Sequence, residues 1–436
     1  MDHTHHRIDQ NSGFCEATGI FHSKRARISL PSTPQLSLPA FLQQQSCGNS
    51  TSTAYIDFSD RSSISYAQLH GHIKAVAAGL TLLLGVQKGD VLLLLAPNSI
   101  HFVIFLQAAL SIGAVITTSN PLSLPVEISR QAVQCATKFI ATTAALVHKT
   151  HHCPGGQLSF YRNQMLLAIQ TYRVTNLPLV PPVLLALAKS SLVEKYDLSS
   201  LREISVGAAP VSKDLVMTFK ARFPAIVVLQ GYALTESTAV GATSLTAEES
   251  QEFSSTGLLA PNTEAKIVDV DSGNPLPPNH SGEIWLRGPT IMQGYHGQPE
   301  ATASTVDKEG WLRTGDLGYI NSNGFFIIID RLKELIKYKG FQVAPAELED
   351  VLLSHPLIQD AAVVPYADEE AGQIPFAYVV LASGAKLSAA EAINFVAERV
   401  APYKKIRKVS FVRSIPKTPS GKILRRELIA KAGSKL

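Results

Sequence analysis

Hydrophobic residues in the first third of the chain recur with two different periods. After Ser65 they follow helical spacing, and Gly85 together with Gly89 marks the end of that helix. The pattern then predicts strands at 91–95, 114–118 and 138–142, separated by helices at 100–112 and 125–135. Regular alternation of this kind is typical of a parallel sheet covered on both faces, so we expect an α/β fold with a doubly wound sheet.

The alternation stops at one place and then resumes. Residues 148–164, which read HKTHHCPGGQLSFYRNQ, have neither a helical nor a strand period. Beyond them the pattern again predicts helices and strands, with helices at 165–172, 181–192 and 212–222 and strands at 201–206 and 226–229.

Three parts of the chain differ in composition and pattern. Residues 1–50 are rich in Ser, Pro, Gln and His without a period, so we expect an irregular segment there. Residues 51–329 form the large domain, which ends with a proline-rich turn and short β segments at 282–286 and 325–329. Residues 330–436 form a small α+β domain, with strands at 341–343, 361–364, 376–381 and 408–412, a helix begun by Pro345 and a helix near 388–399.

Composition narrows the class of protein. A chain of 436 residues is too long for one ordinary core, and 45% hydrophobic with 17% charged residues indicates globular domains. The net charge of +4 is small and the cations form no long tract, which argues against nucleic acid as a partner. The four cysteines (Cys15, Cys47, Cys135 and Cys153) are far apart without CxxC spacing, so free thiols in a reducing compartment are expected.

Targeting signals are expected only at the C-terminus. The apolar run that starts at Val91 is interrupted by Pro97, which favours a strand followed by a buried helix over a transmembrane span. The N-terminus has no signal-peptide pattern. The chain ends in Ser434-Lys435-Leu436, and a terminal SKL is the address that the peroxisomal import receptor reads, so we expect a peroxisomal protein.

Residues 330–342 form a strongly charged sequence, DRLKELIKYKGFQ, directly after the predicted β segment at 325–329. Its four cations lie close together and the cationic run ends at Gly340, which suits a polyanion that needs close approach of the backbone. A solvated helix with pairs at spacing i, i+4 is the alternative.

Four motifs in this order carry a family resemblance: GYALTES (231–237), TGDLGY (314–319), the 330–342 sequence and PKTPSGKILRREL (416–428). From about Ile20 to the C-terminus the chain resembles the adenylate-forming acyl- and aryl-CoA synthetases, and especially the plant 4-coumarate:CoA ligases and their peroxisomal ligase-like relatives. The resemblance implies an acid-thiol ligase that uses ATP, CoA and Mg²⁺. Such an enzyme activates a carboxylic acid as acyl-AMP and then transfers the acyl group to CoA, and its small domain is mobile about a hinge.

Residue chemistry points to a nucleotide site at the ends of two strands. Gly207, Ala208 and Ala209 follow one predicted strand, where small side chains let an adenine ring lie against the backbone, although an ordinary β-to-α turn has the same pattern. The next strand is followed by a predicted second loop with an aromatic face, formed by Gln230, Gly231 and Tyr232.

Two further residues have chemistry suited to activation of a carboxylate. Asp316, in the predicted turn TGDLG, could accept hydrogen bonds from both ribose hydroxyls, with an Asx-turn as the alternative. Lys422 of PSGKIL matches the family's catalytic lysine, whose charge would stabilise the transferring phosphoryl group. The alternative is that Lys422 is one more lysine in the basic run 417–426.

Other roles are implied by the resemblance alone. It implies that Thr235 lies in the phosphate region, that Glu236 binds magnesium and that Asp330 is the hinge. It also implies nucleotide contacts for Arg331 and Gln342, acyl-adenylate contacts for Lys333 and Lys337, and a CoA path along Lys339 and Gly340.

The chain departs from the family near 143–165. The family has a Ser/Thr/Gly-rich phosphate loop ending in lysine, and here only THHCPGGQLSF stands in its place. The following strands and helices, an active-site histidine and much of the acyl pocket are missing too, as at a splice or gene-model junction. A metal site at 148–153 is the alternative reading of this stretch.

The missing segment leaves activity and substrate open. We expect a ligase with weak adenylation, and the rival hypothesis is a non-catalytic relative that binds AMP or a partner subunit. A luciferase-like oxygenase has no support beyond the shared motifs. Hydroxycinnamates of phenylpropanoid metabolism, fatty acids of medium length and cyclopentenone-bearing jasmonate precursors are all candidate substrates, and the SKL terminus favours acids that enter β-oxidation.

Overall fold

The computed structural model describes residues 7–31, 33, 36–150, 162–208, 211–238, 240–418 and 421–433. The chain divides into two compact units. One unit comprises Ser29–Met165, and the other comprises Met1–Ile28 together with Leu166–Leu436. The predicted domain boundaries near 50 and 330 differ from this division and stay predictions.

The elements follow one another in a mixed order of helices and strands. The helices are α1 (Leu38–Gln45), α2 (Tyr66–Leu82), α3 (Ile100–Ser111), α4 (Pro125–Gln134), α5 (Arg162–Tyr172), α6 (Pro181–Lys189), α7 (Lys213–Arg222), α8 (Pro299–Thr305), α9 (Pro345–Leu353), α10 (Ala389–Ala397) and α11 (Arg425–Gly433). The strands are β1 (Phe14–Cys15), β2 (Ile20–His22), β3 (Thr53–Ile56), β4 (Ser63–Ser65), β5 (Val91–Leu95), β6 (Val115–Ser119), β7 (Phe139–Thr142), β8 (Asn176–Leu179), β9 (Glu203–Val206), β10 (Val227–Ala233), β11 (Val240–Thr243), β12 (Leu258–Leu259), β13 (Glu264–Val268), β14 (Gly282–Arg287), β15 (Leu312–Ile320), β16 (Phe326–Arg331), β17 (Ile336–Tyr338), β18 (Phe341–Val343), β19 (Ile358–Asp368), β20 (Gly372–Leu381) and β21 (Lys408–Phe411).

The unit Ser29–Met165 is built around strand β5. Strands β6, β5 and β7 form a parallel sheet with β5 in the centre. Leu92 packs with helices α2 and α3 on one face, whereas Leu93 and Leu95 pack with Ile128 of α4 on the other. Because both faces are covered, every residue of β5 is apolar and buried, and the predicted α/β alternation is confirmed here.

A second sheet contains the strands that carry the glycine motifs. Its order is β12-β11-β10-β9-β8, with β8, β9 and β10 parallel and the other pairs antiparallel. Strand β8 was not predicted, because it is short and contains Pro178. A proline fits there because β8 lies at the edge of this sheet, where a missing N–H costs no ladder hydrogen bond.

A six-stranded sheet, in the order β1-β2-β13-β14-β15-β16, joins the N-terminal residues to the motif TGDLGY. Phe21 of β2 and Phe326 of β16 are fully buried in its core together with Ile284. The prediction that residues 1–50 are irregular is wrong for β1, β2 and α1. Strand β2 is too short to show a period, and it is specified by its pairing with β13, more than 200 residues away in the sequence.

The C-terminal residues form a sheet in the order β18-β17-β20-β19, and β21 pairs with β20. Helices α9 and α10 pack on one face through Leu348 and Val396, whereas α11 packs on the other through Leu428. The charged sequence 330–342 is not a solvated helix. It contains the end of β16, a 3₁₀ turn at Leu332–Glu334, and the hairpin of β17 and β18.

Within the described ranges, the chain has no helix with the length and apolar character needed to cross a membrane. The helices that the pattern predicted agree with the structure to within a few residues, apart from 181–192, which ends at Lys189 and continues as a 3₁₀ turn at Ser191–Lys195. The three described cysteines, Cys15, Cys47 and Cys135, are free, and Cys153 lies outside the described residues.

Two leucines of helix α9 offer a matched test of the C-terminal core. Leu348 is fully buried, whereas Leu353 is 39% exposed. We expect Leu348→Ala to lower the free energy of unfolding by about 2–5 kcal/mol, because it removes buried methyl groups and leaves a cavity. Leu353→Ala should cost less than about 1 kcal/mol. Urea titrations of both variants measure the difference, and equal losses would contradict the assigned face of α9.

Candidate active site

The ends of strands β9 and β10 approach each other closely at two glycines. A Cβ on Gly207 would lie 3.7 Å from the carbonyl oxygen of Gly231, so the backbones are in near contact. The next residue, Ala208, has φ +71°, a left-handed conformation that is uncommon for residues other than glycine. Strained backbone of this kind is often found where a ligand is held. Ala209 lies outside the described residues.

The prediction that Gln230, Gly231 and Tyr232 form a loop after the strand is wrong. They belong to β10, where Gly231 is paired with Thr243 of β11. The Gln230 side chain is buried and donates a hydrogen bond to the Phe253 carbonyl oxygen at 3.0 Å. The antiparallel partner β11 extends β10 beyond the point where the parallel pairing with β9 ends.

A cluster of three predicted residues forms where β10 meets β15. The Tyr232 hydroxyl donates to Asp316 Oδ2 at 2.7 Å, and Arg331 Nε lies 3.4 Å from Asp316 Oδ1. Asp316 and Arg331 are opposite each other in the pairing of β15 with β16. Asp316 is therefore not in a free turn or an Asx-turn: it is buried within a strand, and Gly315, with φ +69°, provides the local irregularity.

Two groups in this cluster have raised pKa values with identifiable causes. Burial, followed by the charge and hydrogen bond of Asp316, raises the pKa of Tyr232, so the phenol keeps its proton and remains a donor. Burial also raises the pKa of Asp316, while the Tyr232 hydroxyl and the Arg331 guanidinium act in the opposite direction. The arrangement is thus a buried carboxylate held between a phenol and a half-exposed guanidinium.

Glu236 and Thr235 lie just beyond β10 in the 3₁₀ turn Thr235–Ser237. Tyr295 donates a hydrogen bond to Glu236 Oε1 at 2.7 Å, and the Met292 amide donates to the Glu236 carbonyl oxygen at 2.9 Å. These two contacts fix both the backbone and the carboxylate of Glu236. Sequence reasoning did not identify Tyr295, because it is 59 residues away along the chain.

Asp330, the predicted hinge, lies at the end of β16 and caps helix α9. Its carboxylate accepts hydrogen bonds from the Ala346 amide at 3.0 Å and from the Arg331 amide at 2.7 Å. Helix α9 has Ala344 at its N-cap, which offers no side-chain acceptor, so Asp330 replaces the usual cap. Burial raises the pKa of Asp330 to about 6, although both amides and Arg425 favour the charged form.

The predicted acyl-adenylate and CoA residues are gathered around one hairpin. Lys337 of β17 faces Gln342 of β18, and Lys339 and Gly340 form the two-residue turn between these strands. Lys339 makes an ion pair with Glu370. Lys333 is exposed in the preceding 3₁₀ turn.

Lys422 lies on a different hairpin. The Thr418 amide donates to the Lys422 carbonyl oxygen at 2.8 Å, and the Lys422 amide donates to Thr418 Oγ1 at 3.1 Å. The Lys422 side chain is exposed. Lys417, at the start of this hairpin, contacts both carboxylate oxygens of Asp360 at 2.8 Å. Pro419 and Ser420 of the PSGK motif lie outside the described residues.

The contacts group the predicted residues into sets rather than one cluster. Tyr232, Asp316 and Arg331 are in direct contact, the glycines at the ends of β9 and β10 adjoin each other, and the lysines occupy two hairpins. Among the residues that the structure describes, no group of three or more His, Cys, Asp or Glu could hold a metal ion. The alternative metal site at 148–153 falls partly outside the described residues.

The sequence matches two family profiles. The profile described as AMP-binding enzyme matches residues 42–157 and 149–296, and the profile described as AMP-binding enzyme C-terminal domain matches residues 347–422. The two segments of the first match meet in the stretch where the hydrophobic pattern is interrupted. These matches place the chain in the class of adenylate-forming enzymes, whose known structures have a large N-terminal and a small C-terminal domain.

Relatives of known description are similar over nearly the whole chain. A probable CoA ligase of Humulus lupulus is 39% identical, with 98% of each chain covered. A peroxisomal OPC-8:0-CoA ligase of Arabidopsis thaliana is 38% identical, with 98% of this chain and 100% of the relative covered. The chain therefore belongs to the AMP-binding enzyme family, within its 4-coumarate-CoA ligase-like acyl-CoA ligases.

A solved structure shares the fold of this chain, and the Humulus relative is longer than the chain in the alignment. An amide bond synthetase of Marinactinospora thermotolerans has the same fold, with a TM-score of 0.81, 23% identity, and coverage of 90% of this chain and 99% of its own. The alignment with the Humulus relative has 546 positions for a chain of 436 residues, so at least 110 of its positions have no counterpart here.

The buried carboxyl of Asp330 gives a test of the site by pH. Its folded-state pKa, about 6, lies above the ordinary value of 3.8, so the folded protein holds this proton more tightly than the unfolded chain. Protonation of Asp330 therefore contributes its full stabilisation below about pH 4. This contribution to the free energy of unfolding is lost as the pH rises from about 4 to about 6, by roughly 1 kcal/mol per pH unit.

We expect Asp330→Asn to remove this contribution while keeping an acceptor for the Ala346 amide. Between about pH 5 and pH 7.5 the unchanged protein should lose roughly 1 kcal/mol more of its unfolding free energy than the variant, as measured by urea titration. Asp271→Asn, at an exposed carboxylate, is the control and should leave the pH dependence unchanged. Equal pH profiles for Asp330→Asn and the unchanged protein would contradict the assignment.

Proposed function

We propose that this chain transfers an acyl group from acyl-AMP to CoA, and that it forms acyl-AMP from ATP only weakly. Adenylate-forming enzymes use ATP and CoA, and the curated relatives are named CoA ligases. The single observation that carries the proposal is the contact of Tyr232, Asp316 and Arg331. Nucleotide contacts are predicted for Tyr232 and Asp316 from their chemistry and for Arg331 from the family resemblance, and the three residues are in contact in this chain.

The nucleotide would be held at the end of β9, at the C-terminal part of β10 and at Asp316 within β15. Gly207 and Gly231 have no side chains of their own, which would let an adenine ring approach the backbone there. The Asp316 carboxylate supplies acceptors for ribose hydroxyls, and Arg331 supplies a partly exposed cation for ribose or phosphate. Tyr232 is buried in the core beneath, so its role is to position Asp316 as well as to border the adenine.

Weak adenylation follows from the missing segment. ATP binding needs backbone donors and a lysine for the β- and γ-phosphates, which the family's phosphate loop supplies. The two segments of the profile match meet at 149–157, and no such loop is present in the sequence there. Loss of a single preorganised donor typically costs a factor of about 100 to 1,000 in rate, so loss of the whole loop should cost more.

Glu236 is the residue that would bind Mg²⁺. Magnesium is usually held by one or two carboxylates together with phosphate oxygens and water, so a single carboxylate beside the nucleotide fits. Tyr295 keeps the Glu236 side chain in place through the 2.7 Å hydrogen bond. When bound, the metal would neutralise phosphate charge, and Thr235 adjoins the same position in the chain.

The lysines would serve the two halves of the reaction from different hairpins. Lys333 and Lys337 would contact the acyl-adenylate and Gln342 the AMP portion, whereas Lys339 and Gly340 would line the path of CoA. Lys422 would stabilise charge on the phosphoryl group. The hinge at Asp330 would bring these hairpins to the nucleotide in turn. The exposed positions of Lys337, Lys339 and Lys422 support this assignment, because a cation that meets a ligand must be accessible.

The proposed acid is of the fatty type rather than a hydroxycinnamate, and the proposed location is the peroxisome. One similar ligase is named for OPC-8:0 and is peroxisomal, while others are named 4-coumarate-CoA ligase-like. The SKL terminus favours acids that enter β-oxidation. A non-catalytic protein that binds AMP is the second candidate, and the missing phosphate loop is the observation in its favour.

The purified chain, supplied with synthetic acyl-adenylates and CoA, should form acyl-CoA, whereas with ATP and the free acid it should be slower by at least about a hundredfold. Octanoyl-AMP and coumaroyl-AMP can be compared in the same assay by chromatography of the thioester. We expect octanoyl-CoA to form faster, because the proposed acid is of the fatty type.

Two variants separate this proposal from its rival. Asp316→Asn should reduce thioester formation, whereas Asp307→Asn, at a carboxylate whose oxygen accepts hydrogen bonds within its own turn, should not. Binding of AMP without thioester formation from any acyl-adenylate would favour the non-catalytic protein. Full ATP-dependent thioester formation with a natural acid would refute weak adenylation.

Location is tested on the three terminal residues, which lie outside the described residues. A fluorescent protein fused to the N-terminus of the full chain should be punctate and coincide with a peroxisomal marker. Deletion of Ser434, Lys435 and Leu436 should leave it diffuse, because the tripeptide is an address read by a receptor and not an anchor. Punctate import that persists after the deletion would show that another signal directs the protein.

A further inference from the structure

The hairpin that carries Lys422 is attached to the rest of the fold at both ends. At its start, Lys417 pairs with both carboxylate oxygens of Asp360 in β19. At its end, Arg425 begins helix α11, and its side chain is largely buried. Among the residues that the structure describes, the backbone bonds across the hairpin include the one from the Leu424 amide to the Pro416 carbonyl oxygen at 2.9 Å. The attachments therefore decide where Lys422 lies.

Arg425 makes the stronger attachment. Its Nε lies 2.7 Å from Glu334 Oε2, its two terminal nitrogens contact both carboxylate oxygens of Glu349, and Nη1 also donates to the Val363 carbonyl oxygen at 2.8 Å. The Arg425 side chain is only 12% exposed and that of Glu349 only 9%. A planar guanidinium with several donors matches this set of acceptors, which one ammonium group could not satisfy together.

The partners of Arg425 connect the hairpin that carries Lys422 with the segments that contain Asp330 and Arg331. Glu349 belongs to helix α9, whose first turn is capped by Asp330. Glu334 ends the 3₁₀ turn that follows Arg331, the residue that contacts Asp316. One buried side chain thus holds the end of the Lys422 hairpin against the two segments that lead away from the hinge.

Gly421, next to Lys422 in the hairpin, lies close to helix α6. Gly421 has φ +86°, and a Cβ at this position would lie 2.8 Å from Cγ of Pro182 in helix α6. Lys422 follows directly. A shift of the hairpin by a fraction of an ångström therefore moves Lys422 relative to α6, the element that follows strand β8.

We propose that Arg425 is a positioning residue for Lys422, and that it acts by fixing the C-terminal end of the lysine hairpin through its buried ion pairs. The inference rests on the proposed function, in which Lys422 stabilises charge on the phosphoryl group of the adenylate. Arg425 itself would touch neither substrate nor nucleotide. Its removal should free the hairpin without changing the chemistry of the lysine.

Hydrogen exchange measured by mass spectrometry on the full chain tests the attachment directly. In Arg425→Ala, exchange in the segment spanning residues 416–424 should rise by about tenfold or more, because its amides open more often. Exchange in β20 should not change. Arg426→Ala, at the exposed neighbouring arginine, is the matched control and should leave both segments as they were.

A second variant covers the case in which Arg425→Ala unfolds the small domain and β20 also exchanges faster. Glu334→Gln removes one ion pair from a partner that is 30% exposed and leaves Glu349 in place. It should raise exchange in residues 416–424 by a smaller factor while β20 stays protected. Unchanged exchange in this segment in Glu334→Gln and in any folded Arg425 variant would overturn the proposal.

Binding of a hydrolysis-resistant octanoyl-adenylate analogue shows whether the attachment acts through Lys422. Lys422→Ala and Arg425→Ala should each weaken binding by about tenfold, and the double variant should bind no more weakly than either single one. Arg425→Lys should recover only part of the loss. Losses that multiply in the double variant would overturn the proposal. Failure of the unchanged protein to bind the analogue would overturn the proposed function instead, and the exchange measurement would still decide the role of Arg425.

Discussion

The pairing of β15 with β16 is the constraint on which the candidate site depends. This register places Asp316 opposite Arg331 and Leu317 opposite Asp330. A slip of one residue would turn every side chain of a strand to the other face of the sheet, separating Asp316 from the Tyr232 hydroxyl and moving Asp330 away from the first turn of α9. The proposed nucleotide contacts of Asp316 and Arg331 and the proposed hinge at Asp330 therefore depend on the same ladder of backbone hydrogen bonds.

Local periodicity was sufficient for elements whose burial is visible in their own residues. Strands β5 and β18 have the predicted bounds, because an unbroken apolar run and a short β segment between Gly340 and Pro345 leave few other structures possible. Strands β2 and β8 could not be found in the same way. Their few residues carry no period, and they are strands only because distant partners, β13 and β9, offer hydrogen bonds to them.

The site residues likewise divide into those that the local sequence identifies and those that depend on tertiary packing. Motif order was enough to select Tyr232, Asp316 and Arg331, which the structure brings into contact. The glycines of TGDLG misled the local prediction, since they serve a strand irregularity instead of a turn. Tyr295 and Glu349 were missed because a supporting contact depends on tertiary packing: Glu349 is 76 residues from Arg425, and neither position has a motif that names the other.

In the turn of the β17–β18 hairpin, backbone conformation alone restricts which residues can occupy position 339. Lys339 has φ +46° and Gly340 has φ +85°, a combination that the type I′ hairpin turn requires and that asparagine followed by glycine adopts most readily. A β-branched residue at 339 would be excluded by sterics whether or not any ligand passes nearby. The residue at 339 therefore meets two independent requirements, the handedness of the turn and the ion pair with Glu370, and asparagine is the replacement that keeps the first while discarding the second.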